Sequence, residues 1–407
     1  MKNILPSPLQ YKNNHLTFDG KRLDTIAKKL KTPFYLYSKK TLRHYYGNFQ
    51  KTALSNEIPS PLICYALKAN SNDKILSLLK SMGSGADVVS GGELKKALKA
   101  GIDPQKIVFS GVAKTSEEIS FALSCGKKGI YSFNVESIEE LELINKIAKK
   151  LKRQARVAFR LNPKVSAKTH KHISTGNKTH KFGLLKEDIL EAIDVKEFWS
   201  NTTLVGLSIH IGSQLTELNA TIKAIAELSK LALSIDVPLE FLDVGGGLGI
   251  DYTAEEKIKL ASIDTYMKTV SQALEKYYYS KTEHCPRVVF EPGRILVGKM
   301  GVLVSRVVRT KVSDNCHFTI VDAGMNDLIR PALYEAYHEV LPETKSNKNL
   351  TTDIVGPICE TADCFGVKRK LPKLTSGDLV VIDNAGAYGH TMASRYNERD
   401  IAHEIVL

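Results

Sequence analysis

Pro61-Leu62-Ile63-Cys64-Tyr65-Ala66-Leu67-Lys68-Ala69-Asn70 is an apolar run that ends abruptly in a lysine followed by small and polar residues. Such a run, bounded by turn signals, reads as a short buried strand. A lysine pushed out at its end is partly desolvated, which favours the uncharged amine and makes it a nucleophile toward carbonyls. In so lysine-rich a chain the ordinary alternative is a surface lysine that happens to follow a strand. The reading therefore rests on what stands at the ends of the other strands.

Outward from that stretch the chain repeats a unit of apolar strand, polar or glycine-bearing loop and amphipathic helix. Strands are expected at Leu62–Ala66, Gly85–Val89, Ile107–Gly111, Gly129–Val135, Arg156–Asn162, Val205–Ile211, Leu239–Val244 and Val288–Glu291. Between them, Ile75, Leu78, Leu79 and Met82 share one helical face, as do Leu141, Ile144, Ile147, Ala148 and Leu151. Thr115 with Glu118, and Ser137 with Glu140, have capping-box spacing. Eight strands alternating with helices predict a closed (β/α)8 TIM-type barrel over residues 36–290, with a doubly wound open sheet as the runner-up. After Glu291 the helical period fades. Ile295–Thr310, His317–Val321, Asp353–Ile358 and Leu379–Asp383 are rich in β-branched residues. They predict an antiparallel β domain, Greek-key or β-barrel-like, over residues 291–407 and joined by residues 1–35.

The 407 residues, 43% hydrophobic and 25% charged, suit a globular protein of two domains or one large one. No run is long and apolar enough for a membrane span, and Met1-Lys2-Asn3-Ile4-Leu5-Pro6 lacks the apolar core of a secretory signal. Cysteines at 64, 125, 285, 316, 359 and 364 show no metal-ligand spacing. They fit reduced thiols in a cytoplasmic protein. The net charge of +13 is spread over helix faces such as Lys146-Ile147-Ala148-Lys149-Lys150. It therefore argues for solubility, and no nucleic-acid or membrane partner is expected.

The strand ends carry a consistent chemistry. The first strand ends at Lys68, the second at Asp87 with Ser90-Gly91-Gly92-Glu93, and the fifth carries Arg160. The sixth delivers His210 with Gly212-Ser213, the seventh Asp243-Val244-Gly245-Gly246-Gly247, and the eighth Glu291-Pro292-Gly293-Arg294. Gly245, Gly246 and Gly247 let backbone amides approach an anion, although three glycines can also be no more than a tight turn. They match neither the GxGxxG nor the Walker pattern. Ser213 can add a hydroxyl, whereas Ser90 reads equally well as a helix cap for Glu93. A reactive lysine, a phosphate cradle and a strand-end carboxylate together point to pyridoxal 5'-phosphate. Lys68 would form the Schiff base, and Glu291 would keep the ring nitrogen protonated.

Tyr65-Ala66-Leu67-Lys68-Ala69-Asn70, His210-Ile211-Gly212-Ser213-Gln214, Gly245-Gly246-Gly247-Leu248-Gly249 and Glu291-Pro292-Gly293-Arg294 resemble, in order, the motifs of the fold-type III pyridoxal-phosphate decarboxylases. The resemblance runs nearly end to end and implies an alanine-racemase-like barrel with a β domain. It implies that His210 stacks on the cofactor, that Asp87, Ser213, Gly293 and Arg294 join the cofactor site, and that Tyr388 contacts both cofactor and substrate. It makes Arg294, Arg330, Tyr334, Tyr388 and Glu360 the substrate-binding residues. Cys359 would be the proton donor, reaching the site from the partner of a homodimer. A glutamate after that cysteine, where ornithine-type members place aspartate, implies a small-molecule substrate with an amino acid group at each end, meso-diaminopimelate. The alternatives are ornithine, lysine and carboxynorspermidine. A racemase of this fold would set an arginine on the ring nitrogen. Cofactor-homeostasis barrels lack the β domain, and an inactive antizyme-like regulator would lack Lys68 or the glycine turn. No metal site is expected. His170, His172 and His180, in the polar stretch 164–183, lack ligand spacing, and that stretch is similar to the family's lid.

Overall fold

In the computed structural model, which describes residues 7–165, 181–253 and 260–407, eight parallel strands close into a barrel. They are Leu62–Ala66, Gly85–Val88, Ile107–Phe109, Ser132–Val135, Ala155–Leu161, Thr202–Ile209, Phe241–Asp243 and Arg287–Phe290. Each pairs with the next, and the ring closes where Val289 and Phe290 lie opposite Leu62 and Ile63. Parallel neighbours need crossover connections. Helices supply them after strands one to seven, from Asp73–Ser81 to Ile263–Tyr277. The open-sheet alternative is thereby excluded.

The helix starts follow their side chains. Thr115 and Glu118 form the reciprocal box, and Ser90 accepts from the Glu93 N–H at 3.2 Å, so Ser90 is a cap. Ser137 accepts from the Glu140 N–H, but the Glu140 carboxylate does not reach back. It accepts instead from the buried Lys114 Nζ at 2.7 Å.

The chain divides into two units, one of Tyr46–Gly249 and Leu260–Gly293, the other of Met1–Tyr45, Ile250–Lys259 and Arg294–Leu407. This departs from the division expected at residues 36 and 290. The reason is Phe34–Tyr37, whose four side chains are all fully buried. Phe34–Tyr37 is bonded on one edge to Gly301–Val304 and on the other to His403–Val406, so it belongs to the second unit.

In that unit the strand Gly301–Ser313 runs through the sheet. Its first half pairs with Phe34–Tyr37 and Leu379–Ile382, its second with Cys316–Val321. The sheet is mixed rather than antiparallel. Cys316–Val321 pairs parallel with Asn349–Val355, and Phe34–Tyr37 parallel with His403–Val406. The strand expected from Ile295 starts later, because Arg294–Val297 is a helical turn. Leu16, Phe18, Phe34, Leu36, Val302 and Val304 fill one core beneath a three-stranded N-terminal sheet. Burying each such side chain contributes about 1.5–3 kcal/mol. Among the described residues no helix is long and apolar enough to cross a membrane.

Candidate active site

Residues two apart on a strand share a face. Val108, Phe241 and Val289 belong to the apolar core inside the barrel, so the next positions on those faces, Ser110, Asp243 and Glu291, stand at the C-terminal ends of the strands. All three are buried, as is Asp87. Lys68 sits in the turn Leu67–Ala69 after the first strand and donates from Nζ to Asp87 Oδ2 at 2.6 Å. Its side chain is 36% exposed while that of Asp87 is sealed. A reachable amine is thus moored to a buried carboxylate.

Asp243 and Glu291 share a second buried cluster. Asn134 Nδ2 lies 3.3 Å from Glu291 Oε1, 3.4 Å from Asp243 Oδ2 and 3.1 Å from Ser110 Oγ. Burial pushes the Asp243 carboxyl up to about 7. Burial, then the charges of Asp243 and Asp87, lifts Glu291 well above the usual carboxylate range. The charge of Lys68 works against this rise without reversing it, so the pair favours keeping a proton.

His210 follows the sixth strand. Its Nδ1 accepts from the Gly246 N–H at 3.3 Å, which places the ring proton on Nε2. Burial, with the charges of Arg160 and Lys68, holds its pKa well below the ordinary value, so the 3.9 Å approach of Nδ1 to Glu291 Oε2 joins a neutral ring to a carboxyl. Arg160 donates to Glu136 Oε1 at 2.6 Å and to the His210 carbonyl at 3.5 Å. Glu136 also accepts the N–H groups of Gly111 at 3.1 Å and Gly183 at 2.8 Å.

The triple-glycine turn is shaped by close backbone approach. A Cβ on Gly246 would stand 2.1 Å from the Glu291 carbonyl oxygen, and one on Gly247, at φ +99°, 2.2 Å from that of Gly212. Gly245 donates to Asp243 Oδ1 at 2.8 Å. The N–H groups of Gly247 and Gly293 have no acceptor among the described residues. Two such amides are suited to an anion.

The second unit has its own cationic cluster. Arg294 and Arg330 are both buried. Arg294 donates to the Tyr252 hydroxyl and lies 4.7 Å from the Tyr388 ring centroid. Arg330 lies 4.3 Å from the Tyr252 ring and donates to His338. Among the described residues no carboxylate stands in ion-pair reach of Arg330, and its buried Nε has no acceptor. Tyr388 takes φ +56°, a left-handed conformation that costs a bulky residue energy and that concentrates at functional sites. Tyr334 closes the short helix that Arg330 opens.

Cys359 and Glu360 are exposed on a loop of the same unit. Cys359 N–H donates to Asn397 Oδ1 at 2.9 Å, and the Tyr396 hydroxyl donates to Glu360. Buried Asp363 anchors the loop by accepting from Ile358 N–H and Met325 N–H, each at 2.6 Å.

The sequence pattern of the family described as pyridoxal-dependent decarboxylase, pyridoxal binding domain, matches residues 48–298. The chain belongs to the pyridoxal-dependent decarboxylases. Its relatives include proteins named diaminopimelate decarboxylase. That of Aquifex aeolicus is 40% identical over 98% of this chain and 92% of its own length. That of Neisseria meningitidis serogroup B is 44% identical over 94% and 89%. Among solved structures, diaminopimelate decarboxylase from M. jannaschii in co-complex with L-lysine aligns with a TM-score of 0.91 at 36% identity, covering 98% of this chain and 92% of that one. The Helicobacter pylori enzyme complexed with L-lysine aligns with a TM-score of 0.87 at 41% identity, covering 94% and 93%.

The barrel residues fit the family's cofactor. They offer a reachable amine, two unanswered amides and a buried acid pair that holds a proton. Within the barrel unit the structure gathers Lys68 with Asp87, and His210 with Gly245, Gly246, Gly247 and Glu291. Gly293 ends that unit, packed with its α-carbon against Ala66 and Ala69. Ser213 lies three residues beyond His210 on the same loop. Arg294, Arg330 and Tyr388 cluster in the second unit, and Cys359 and Glu360 share one loop there. Sequence reasoning missed Ser110, Asn134, Glu136, Tyr252 and His338, and it gave Asp243 no role. For Asp243 the signal was present, since it is the one polar residue in the strand Phe241–Asp243, whereas Asn134 shares its strand with Ser132. Most of the expected lid lies outside the described residues, with His170, His172 and His180.

Proposed function

We propose that this decarboxylase removes the carboxyl group at the D centre of meso-diaminopimelate, releasing carbon dioxide and L-lysine. Near-full-length likeness to relatives of that name supports the reading, and one observation carries it to the substrate. Arg330 is buried, charged and, among the described residues, without a carboxylate partner, so it is ready for a substrate's.

In this reading Lys68 holds pyridoxal 5'-phosphate through its amine. Gly245, Gly246, Gly247, Gly293 and Ser213 hold the phosphate end, and His210 stacks on the ring. Glu291 keeps a proton at the ring nitrogen, and Asp87 steers the Lys68 amine. Bound there, the cofactor supplies a sink for the electron pair left when carbon dioxide departs. Arg294, Arg330, Tyr334 and Tyr388 fix the substrate, with Arg330 taking the distal carboxylate and Glu360 the distal ammonium. The Cys359 thiol donates the proton that replaces the lost carboxyl, serving the active site of a partner copy in a homodimer. The barrel thus carries the cofactor, and the second unit carries the substrate and dimer contacts. Six free thiols agree with a cytoplasmic enzyme.

Turnover of meso-diaminopimelate, ornithine, lysine and carboxynorspermidine by the purified, cofactor-loaded protein tests the proposal. L-Lysine formed from diaminopimelate, with the others turned over far more slowly, is the expected result. Faster release of carbon dioxide from any of the others overturns the substrate assignment.

A further inference from the structure

Arg330 makes one side-chain hydrogen bond among the described residues, and its partner is unusual for a buried cation. Nη1 of Arg330 stands 2.6 Å from Nε2 of His338. The other ring nitrogen, Nδ1, stands 2.8 Å from the Asp383 carbonyl oxygen. A carbonyl only accepts, so Nδ1 carries the ring proton and Nε2 is left as the acceptor for the guanidinium. The tautomer is thus fixed by the backbone at residue 383.

His338 is fully buried. Burial, with the charges of Arg330, Arg294 and Arg369, pushes its pKa down to about 3, so it remains neutral under physiological conditions. Its ring meets Tyr252 edge-on at 5.0 Å, and its carbonyl accepts from Arg369 Nη2 at 3.2 Å. The same Tyr252 ring supports the face of the Arg330 guanidinium.

Buried arginines are ordinarily matched by carboxylates, and a carboxylate at that distance would cancel much of the guanidinium's field. A neutral imidazole can aim the group without cancelling its charge. We propose that His338 is a positioning residue that locks Arg330 as a clamp for the distal carboxylate while leaving its charge uncompensated. It thereby makes the site selective for amino acids over the corresponding diamines. This rests on the reading of Arg330 given above.

Inhibition of the holoenzyme by two probes tests it. L-Lysine keeps the distal carboxylate, whereas cadaverine (1,5-diaminopentane) lacks it. In His338→Ala the L-lysine inhibition constant should rise about tenfold or more, as loss of an aimed charged hydrogen bond implies. Cadaverine inhibition should stay where it was, and KM for substrate should rise more than kcat falls. His338→Gln puts an amide oxygen near the Nε2 position and should restore most of the preference. His338→Glu also accepts from Arg330 but neutralises it, so L-lysine should bind as poorly as in the alanine variant. Melting curves and cofactor absorbance establish that each variant is folded, and if the alanine variant does not fold, the Gln and Glu pair decides. Unchanged L-lysine inhibition in His338→Ala, parallel loss for both probes, or a Glu variant as selective as the Gln variant overturns the proposal. Arg330→Lys, assayed alongside, separates the two ideas. If it too leaves the preference intact, the carboxylate role of Arg330 has failed. If it alone removes the preference, only the role of His338 has failed.

Discussion

Lys68 and Asp87 bring together the ends of two adjacent parallel strands across 2.6 Å. Ala66 is the register partner of Asp87, and the turn Leu67–Ala69 folds Lys68 back over it. The carboxylate is sealed from water and its Oδ1 has no partner of its own, so the lysine is its main compensation. Replacing Lys68 with alanine strands a buried charge and removes the amine that would hold the cofactor. The purified variant should lack the visible absorbance of covalently held pyridoxal phosphate and should not turn over. Turnover near the wild-type rate would exclude Lys68 from that role.

The Asp243–Glu291 pair predicts a pH signature in the cofactor-free protein. A carboxyl raised from 3.8 to about 7 keeps its proton in the native state after the unfolded chain has released it. Stability therefore drains away as pH climbs through that window. Asparagine at 243 removes the Asp243 part of the effect, while Glu291 keeps its own rise from burial. The wild type should thus lose stability relative to Asp243→Asn between about pH 5 and pH 8, by on the order of a few kcal/mol. Buried His210 and His338, whose pKa values are lowered, push stability the opposite way with pH, but they are common to both proteins. Urea midpoints at the two pH values measure the difference, and an equal gap at both would show that Asp243 does not hold the proton.

The barrel is legible because each strand is a short apolar run closed by a polar or glycine residue, and Leu62–Ala66 falls where the sequence puts it. The strand ends announce the site for the same reason: apolar positions stop where chemistry begins. Register across the bore is not legible. Asn134 can bridge Asp243 and Glu291 only because the ring closes, and nothing local records that closure. The second unit hides more. The strand Cys364–Pro372 is not among those expected, since at an edge of the sheet Val367, Lys368 and Arg369 are left outward or half-buried and the apolar pattern is broken. The parallel pairing of Cys316–Val321 with Asn349–Val355 depends on a long crossover that also carries Arg330. His338 lies eight residues beyond Arg330, in a segment with no period to mark it.

Glu136 predicts a stability effect away from the reacting groups. One carboxylate receives Arg160 and the backbone N–H groups of Gly111 and Gly183, tying three barrel loops together. Glu136→Gln keeps the shape but leaves Arg160 without its anion, and its amide nitrogen cannot accept from both glycines. A loss of roughly 3 kcal/mol in unfolding free energy is expected from breaking a buried pair at one partner. A denaturation midpoint unchanged within error would show that the interior is wet enough to screen the pair.

The role proposed for Cys359, serving the active site of a partner copy, predicts the outcome of a mixing experiment. Cys359 is exposed, yet it is held in place by Asn397 on one side and by the Asp363-anchored loop on the other. Rigid presentation of a thiol at the surface is what a second copy of the chain would need. If each active site takes Lys68 from one chain and Cys359 from the other, Lys68→Ala and Cys359→Ala disable opposite halves. A heterodimer of the two variants then contains one site with both defects and one with none. Random exchange makes half the dimers mixed, so two inactive proteins should recover about a quarter of the wild-type rate on mixing. Sites built within single chains would recover nothing, because every site would keep its own defect. The rate after mixing therefore separates a shared site from a self-contained one, without any need to know which step Cys359 serves.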